Sequence, residues 1–348
     1  MNKEKIKKYN IDSFGWPVNK IKNSLPLILY NEKVLFIPSI LRRKMNYCFD
    51  IKKNKTLNHW YIDEILANFT FKNNVRFKFL SFPKLYFDKF LVLLYKKFIF
   101  KKIKLKKNEI ILFGPYSDAY AHQLHEFIIR LFHIKNNKLK KNKIIIDYNL
   151  KKILNSEVFK FIFKNLNISF YKSDQIILFE NVNYLSHIEN RFVNKIFVKN
   201  IKLIRKECNN FFKKKNYYNP IDYVLASRKK AKKRHLINED LLLEKLSKYG
   251  FKRIYFEDLS HDEQINLSLN MKILVGYHGT AFTNAGLFMN KSTHILEIMH
   301  EKYPQGHGKL FCDIQGSINK RFFCNKNYKN LDGECNIDEI ISYIKKII

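Results

Sequence analysis

Between residues 223 and 298, short apolar runs alternate with amphipathic stretches, and this pattern constrains the chain more than any other feature. Residues 223–227 read as a buried strand. A helix follows at 239–249, with Asn238 as its cap and Gly250 as its stop. Strands at 253–256, 273–276 and 294–298 are separated by helices at 260–270 and 280–289. Ser260 with Glu263 three residues on is a capping box for the first of these helices. Strand and helix in strict turn imply parallel βαβ units. The same alternation runs less cleanly upstream: strands at 109–113, 143–147 and 175–179, helices at 118–133 and 157–165, and a Gly114-Pro115 break between the first strand and the first helix.

These two runs predict an α/β protein of two Rossmann-like domains facing across a cleft. The polar, basic segment 208–220, closed by Pro220, reads as the linker. The expected division is an N-terminal acceptor-side domain at 1–215, a C-terminal nucleotide-binding domain at 216–335, and a terminal helix at 336–348. That helix carries Ile337, Ile340, Ile341, Ile344 and Ile348 on one face. It needs a docking surface, and the N-terminal domain is one candidate. A length of 348 residues fits about two domains. A hydrophobic content of 46% is ample for their cores.

The formal charge of +34 has two readings. One is a nucleic-acid-binding protein, which requires a clustered basic stripe with aromatic platforms. The other is a diffuse lysine-rich surface, and the lysines are spread along the whole chain beside Asn, Ile, Phe and Tyr. The diffuse pattern favours the second, with no nucleic-acid partner expected. Cys48, Cys208, Cys312, Cys324 and Cys335 form no CxxC pair, so a zinc or redox motif is not expected. Scattered thiols suit a reducing, cytoplasmic setting. The basic N-terminus lacks the apolar core of a signal peptide, and no run reaches the roughly 18 apolar residues that span a bilayer. Residues 90–100, apolar and aromatic with Lys96 and Lys97 inside, read first as a core helix with a basic end, and alternatively as a peripheral contact with the inner face of a membrane.

Four constellations carry chemistry. Gly276-Tyr277-His278-Gly279-Thr280 ends one strand and opens a helix, with Asn284 one turn later. Its glycines permit a close backbone approach, and the helix start offers N–H groups to an anion. Arg228 and Arg234 follow the strand at 223–227, where guanidinium forks can grip phosphate or simply line a solvated loop. Glu297 ends the last strand, where a carboxylate can accept from ribose hydroxyls or merely face water. In the other half, His122, His125, Glu126 and Arg130 share one helical face, with Asp118 just before the helix. A His–Glu pair there can act as a general base. HExxH fails because position 129 is Ile, and the chain holds no Asp-x-Asp, so no metal site is expected.

In this order, Arg228, Arg234, Asn238, Gly250-Phe251, Glu257, Leu259, Glu263-Gln264, Gly276, His278-Gly279, Asn284 and Glu297 resemble glycosyltransferase family 61. The segment around His122 is similar to the family's His-Trp-Leu-x-Asp/Glu-x-x-Pro-Arg motif, with Gln123 in place of Trp and Ile129 in place of Pro. Thr280 stands where the family's turn usually has Ala. The resemblance implies the two-domain GT-B architecture and an inverting, metal-independent transfer with no cofactor. The donor is then a nucleotide sugar, held by Arg228, Arg234, Gly276, His278, Gly279, Thr280, Asn284 and Glu297. Glu126, oriented by His122, is the implied base, with Asp118, His125 and Arg130 on the acceptor side. The acceptor is a glycan or lipid-linked glycan, in capsular or lipopolysaccharide assembly. The departures at Gln123 and Ile129 also admit an inactive relative.

Overall fold

The structure, a computed structural model, describes residues 28–37, 47–50, 55–56, 101–114, 117–172, 177–185, 195–217, 221–301 and 307–348. The candidate membrane-contact segment at 90–100 and the basic N-terminus lie outside the described residues. The chain divides into two compact units. One contains Gly15–Asn155 and Phe163–Phe197, and the other Ser156–Ile162 and Val198–Ile348.

The first unit is built on a mixed sheet. Its strands are β1 (Ile28–Ile37), β2 (Tyr47–Asp50), β3 (Lys55–Thr56), β4 (Lys101–Lys104), β5 (Glu109–Ile111), β6 (Lys143–Asp147), β7 (Asn167–Tyr171) and β8 (Ile177–Leu185). The order is β3-β2-β1-β8-β5-β6-β7, with β4 pairing β8. Strands β1 to β3 run antiparallel to their neighbours. The rest, β4, β5, β6, β7 and β8, pair in parallel. Helices α1 (Tyr120–Lys135) and α2 (Lys151–Leu154) follow β5 and β6. A core of Ile111, Phe113, Ile145, Tyr171, Ile177, Phe179 and Val182 fills one side. Its centre is an edge-to-face aromatic set, with Phe113–Phe179 and Tyr171–Phe179 centroids both 5.4 Å apart.

The second unit holds the sheet that the alternation predicted. Strands β9 (Tyr223–Ala226), β10 (Lys252–Ile254), β11 (Ile273–Tyr277), β12 (His294–Met299) and β13 (Ile318–Phe323) are ordered β10-β9-β11-β12-β13, all in parallel. Helices α3 (Glu157–Phe163), α4 (Lys195–Lys214), α5 (Glu239–Ser247), α6 (His261–Asn270), α7 (Thr280–Phe288), α8 (His307–Gln315) and α9 (Ile337–Ile344) accompany this sheet. Parallel strands covered on both faces are apolar at nearly every position, which is why they read so clearly. The expected capping box is present: Ser260 Oγ accepts from Glu263 N–H, and Glu263 Oε2 accepts from Ser260 N–H. Gly250 ends α5 with φ +82°. Asn238 does not cap α5; its amide instead brackets the Cys335 backbone, donating to the carbonyl at 2.9 Å and accepting from the N–H at 3.1 Å.

Three expectations need correction. Residues 208–214 are not linker but the end of α4, a 20-residue helix. Its stripe of Ile201, Ile204, Cys208, Phe211 and Phe212 is buried. Arg205 ties it to the Met289 carbonyl at 2.9 Å, and Phe211 meets Phe161 of α3. Secondly, α3 joins the same unit, because the Asp262 carboxylate accepts from the N–H groups of Glu157 and Val158 at its start. Thirdly, α9 packs within its own unit. Ile340 and Ile344 are fully buried among Leu242, Leu246, Phe251 and Phe322 of its own unit. The edge strand β13 and helix α8 were not anticipated.

Candidate active site

The parallel sheet reverses direction of growth at β9. From β9 the chain moves out to β10, then crosses back to β11 on the other side. In open α/β sheets, ligands bind at such a switch point, beyond the carboxyl ends of the strands. The two loops there are those after β9, carrying Arg228 and Arg234, and after β11, carrying His278, Gly279 and Thr280. Arg228 lies against Gly279, where a β-carbon would overlap its guanidinium. Its Nε and Nη2 donate to the carbonyls of Arg234 and Lys233 at 3.1 and 3.2 Å, so the basic loop curls around its own arginine. Arg234 holds a left-handed φ of 63°. Gly276 is enclosed, and the Ala226 carbonyl lies 2.7 Å from where its β-carbon would be.

Strand register explains the next contact. Gly276, Glu297 and Arg321 are direct neighbours across β11, β12 and β13, and share one face of the sheet. His278, two residues beyond Gly276, falls on that face too. His278 Nδ1 lies 2.6 Å from Glu297 Oε1. Arg321 Nε is 3.9 Å from Glu297 Oε2. The Glu297 side chain is wholly enclosed, whereas His278 keeps 13% of its side-chain surface. Arg321 was missed in the sequence because β13 is an edge strand with too polar a pattern.

Two further residues expected at the donor site lie in unlike settings. Thr280 is exposed at the first turn of α7. Asn284 is fully buried, and its Nδ2 donates to Gln264 Oε1 at 2.6 Å, so it packs α7 on α6. Glu239 was unremarked, yet it is 2% exposed and anchors the start of the basic loop. It accepts from Ser227 Oγ at 2.6 Å and pairs with Arg253 at 3.2 Å.

In the other unit, α1 is not uniform. It widens to a π-helical turn over Gln123–Ile128, a device often found at functional sites. The turn presents a histidine–carboxylate pair, with His122 Nδ1 2.6 Å from Glu126 Oε1. Glu126 Oε2 is enclosed and has no hydrogen-bond partner among the described residues. The His125 ring lies 4.8 Å from that of His122, tilted by 50°. Together, His122, His125 and Glu126 offer metal-ligand atoms within 4.8 Å of one another, the one such group among the described residues. Gly114 matters here: a β-carbon would overlap Phe127 and lie 3.2 Å from Glu126 Oε2.

Arg130 does not line an open surface, as expected from its helical face. It is completely buried and donates to three carbonyls: Glu126 at 2.7 Å, Leu185 at 3.2 Å and Phe113 at 2.7 Å. It thus fastens the π turn to the ends of β5 and β8. Gln123 locks the approach to the helix, donating to the carbonyls of Ser117 and Asn149 at 2.6 and 3.1 Å. Asp118 is exposed beside it.

The described residues thus hold a basic turn at the switch point of a parallel sheet in one unit and a His–Glu pair on a helix in the other. The family model described as Glycosyltransferase 61 matches residues 120–296, 177 of the 348. The chain belongs to glycosyltransferase family 61. A comparison with curated proteins returns no match. No helix among the described residues is long and apolar enough to cross a membrane.

Proposed function

We propose that this glycosyltransferase is an inverting, metal-independent enzyme that moves a sugar from a nucleotide sugar to a hydroxyl of a glycan or lipid-linked glycan. In this reading the parallel-sheet unit takes the donor and the unit with α1 serves the acceptor, as in the GT-B plan. The donor diphosphate meets Arg228, Arg234 and His278 at the switch point, near the start of α7. Glu126 removes the proton from the acceptor hydroxyl, whose oxygen attacks the anomeric carbon as the nucleoside diphosphate leaves. No metal or cofactor takes part. The family resemblance also favours work at the inner face of a membrane, in surface polysaccharide assembly.

One observation carries the base assignment: a carboxylate that keeps 9% of its side-chain surface, with one oxygen held by His122 and the other without a hydrogen-bond partner among the described residues. A fixed acid with a spare lone pair is what proton abstraction needs. The test is Glu126→Gln in a transfer assay with a nucleotide-sugar panel. Turnover is expected to fall about 10²–10⁴-fold while nucleoside diphosphate binding is unchanged. Turnover near that of the wild type would remove Glu126 from this role. The anomeric configuration of the product, read by NMR, tests inversion directly.

A further inference from the structure

Glu297 stands where a carboxylate could hold a ribose, but its surroundings point elsewhere. A group that binds ribose hydroxyls must present its oxygens to the ligand. Those of Glu297 are wholly enclosed. Oε1 is 2.6 Å from the His278 ring. Oε2 faces Arg321 Nε at 3.9 Å, and accepts no hydrogen bond among the described residues. On the remaining side, a β-carbon on Gly308, in the first turn of α8, would lie 2.9 Å from Oε2 and 3.2 Å from Oε1. The carboxylate is thus shut under the start of a helix. A buried carboxylate is costly unless neighbouring charges and dipoles offset it. Arg321, the α8 end and His278 together supply that offset.

The ring is the only one of these partners in the turn that reaches the switch point. A carboxylate oxygen accepts, so Nδ1 carries the hydrogen between them, leaving Nε2 as the ring's other polar atom. The His278 backbone is fixed as well, its N–H donating to the Ile298 carbonyl at 2.8 Å. Two residues are therefore coupled in series: an enclosed acid, then a partly exposed imidazole beside Gly279 and the Arg228 guanidinium.

We propose that Glu297 is a positioning residue that acts through His278, holding the ring so that its outer nitrogen meets the donor's diphosphate, and that it does not touch the ribose. This rests on the donor reading given above. With Nδ1 turned to Glu297, Nε2 is the ring atom left for a phosphate oxygen; donation from it requires the imidazolium, whose charge the carboxylate would balance. Gly308 is part of the device, because any side chain there would push the carboxylate off the histidine.

The test separates ribose from diphosphate. UDP, GDP, ADP and CDP are titrated calorimetrically against wild type, Glu297→Gln, His278→Ala and the double variant. The tightest binder is then compared with its 2′,3′-dideoxy form and its free nucleoside. Glu297→Gln is expected to weaken both diphosphates by the same factor, about 10- to 100-fold, the worth of one charge-assisted hydrogen bond. Free-nucleoside binding is unchanged, and the double variant binds no more weakly than His278→Ala alone. If Glu297→Gln instead abolishes the preference for the ribo form, Glu297 holds the ribose and the proposal is wrong. An unchanged diphosphate affinity in a folded Glu297→Gln also overturns it. Should that variant fail to fold, His278→Ala decides: it must weaken the diphosphates and spare the nucleoside. A wild type that binds none of the four diphosphates removes the donor reading itself, a result distinct from a wild type that binds while the variants do not differ.

Discussion

Replacing Arg130 tests how the acceptor-side site is held. Its guanidinium is fully buried and serves three carbonyls, at 2.7, 3.2 and 2.7 Å, belonging to Glu126, Leu185 and Phe113. Methionine can occupy similar space but donates nothing, so Arg130→Met strands those carbonyls away from water. Each hydrogen bond to a charged donor contributes about 1.5–3 kcal/mol. Desolvation of the guanidinium offsets part of that, and buried carbonyls that lose their donor cost about 1–3 kcal/mol each, so the net loss is about 3–5 kcal/mol. At roughly 2–4 °C per kcal/mol for a unit of this size, the melting transition should fall by about 6–20 °C. Arg130→Lys should fall in between, since an ammonium keeps the charge but lacks the planar fork. The assay is a thermal melt of the full chain with circular dichroism. Transfer is measured below the melt, where a shifted π turn should lower kcat more than donor affinity. A melt within about 2 °C of the wild type would refute the reasoning, because no such change is compatible with three buried carbonyls losing their donor.

Ile344→Ala should cost about 2–5 kcal/mol, because Ile344 is fully buried in the core of the parallel-sheet unit. Denaturant unfolding measures it, and a loss below 1 kcal/mol would mean that α9 is not docked there. Stability should fall as pH drops below about 6.5. Burial holds His133 and His294 below the ordinary histidine value of 6.5, so the unfolded chain takes up protons first. Melts between pH 7.5 and 5 should show that slope, and a flat profile would contradict it. Chelation should leave transfer intact. Excess Zn2+ should inhibit by occupying His122, His125 and Glu126, and His125→Ala should relieve the inhibition. Activity lost to a chelator would instead show that transfer needs a metal.

The legible part of the fold was the part buried on both faces. Residues 223–227, 273–276 and 294–298 are apolar almost throughout because sheet and helices enclose them, and the capping box at Ser260 is purely local chemistry. What could not be read depends on where a residue ends up. The end of helix α4, residues 208–214, reads as linker because its outward face is Lys and Asn, which hides an apolar stripe at three- and four-residue spacing. Strand β13 lies at the sheet edge and carries three successive polar residues, Asn319, Lys320 and Arg321, so it lacks the continuous apolar run. Residue types announced the site, but not the roles. Asn284 and Arg130 carry ligand-like side chains, and both are fully buried, serving Gln264 and three backbone carbonyls.

Glu297 makes the same point more sharply. Its partner His278 is 19 positions away in the chain, and only the parallel register that sets Gly276 beside Glu297 brings the two together. Spacing within one segment reveals a pair such as His122 and Glu126, because a helix turns four residues into one contact. A pair split across two strands has no such signature. The donor turn therefore reads in sequence as loose polar residues around glycines, while in the folded unit it is a row across three strands, Gly276, Glu297 and Arg321, closed by the first turn of α8. The missing side chain at Gly276 belongs to that row. With no side chain there, β11 can approach the Ala226 carbonyl on one side, and the charged residues of β12 and β13 hold the face on the other.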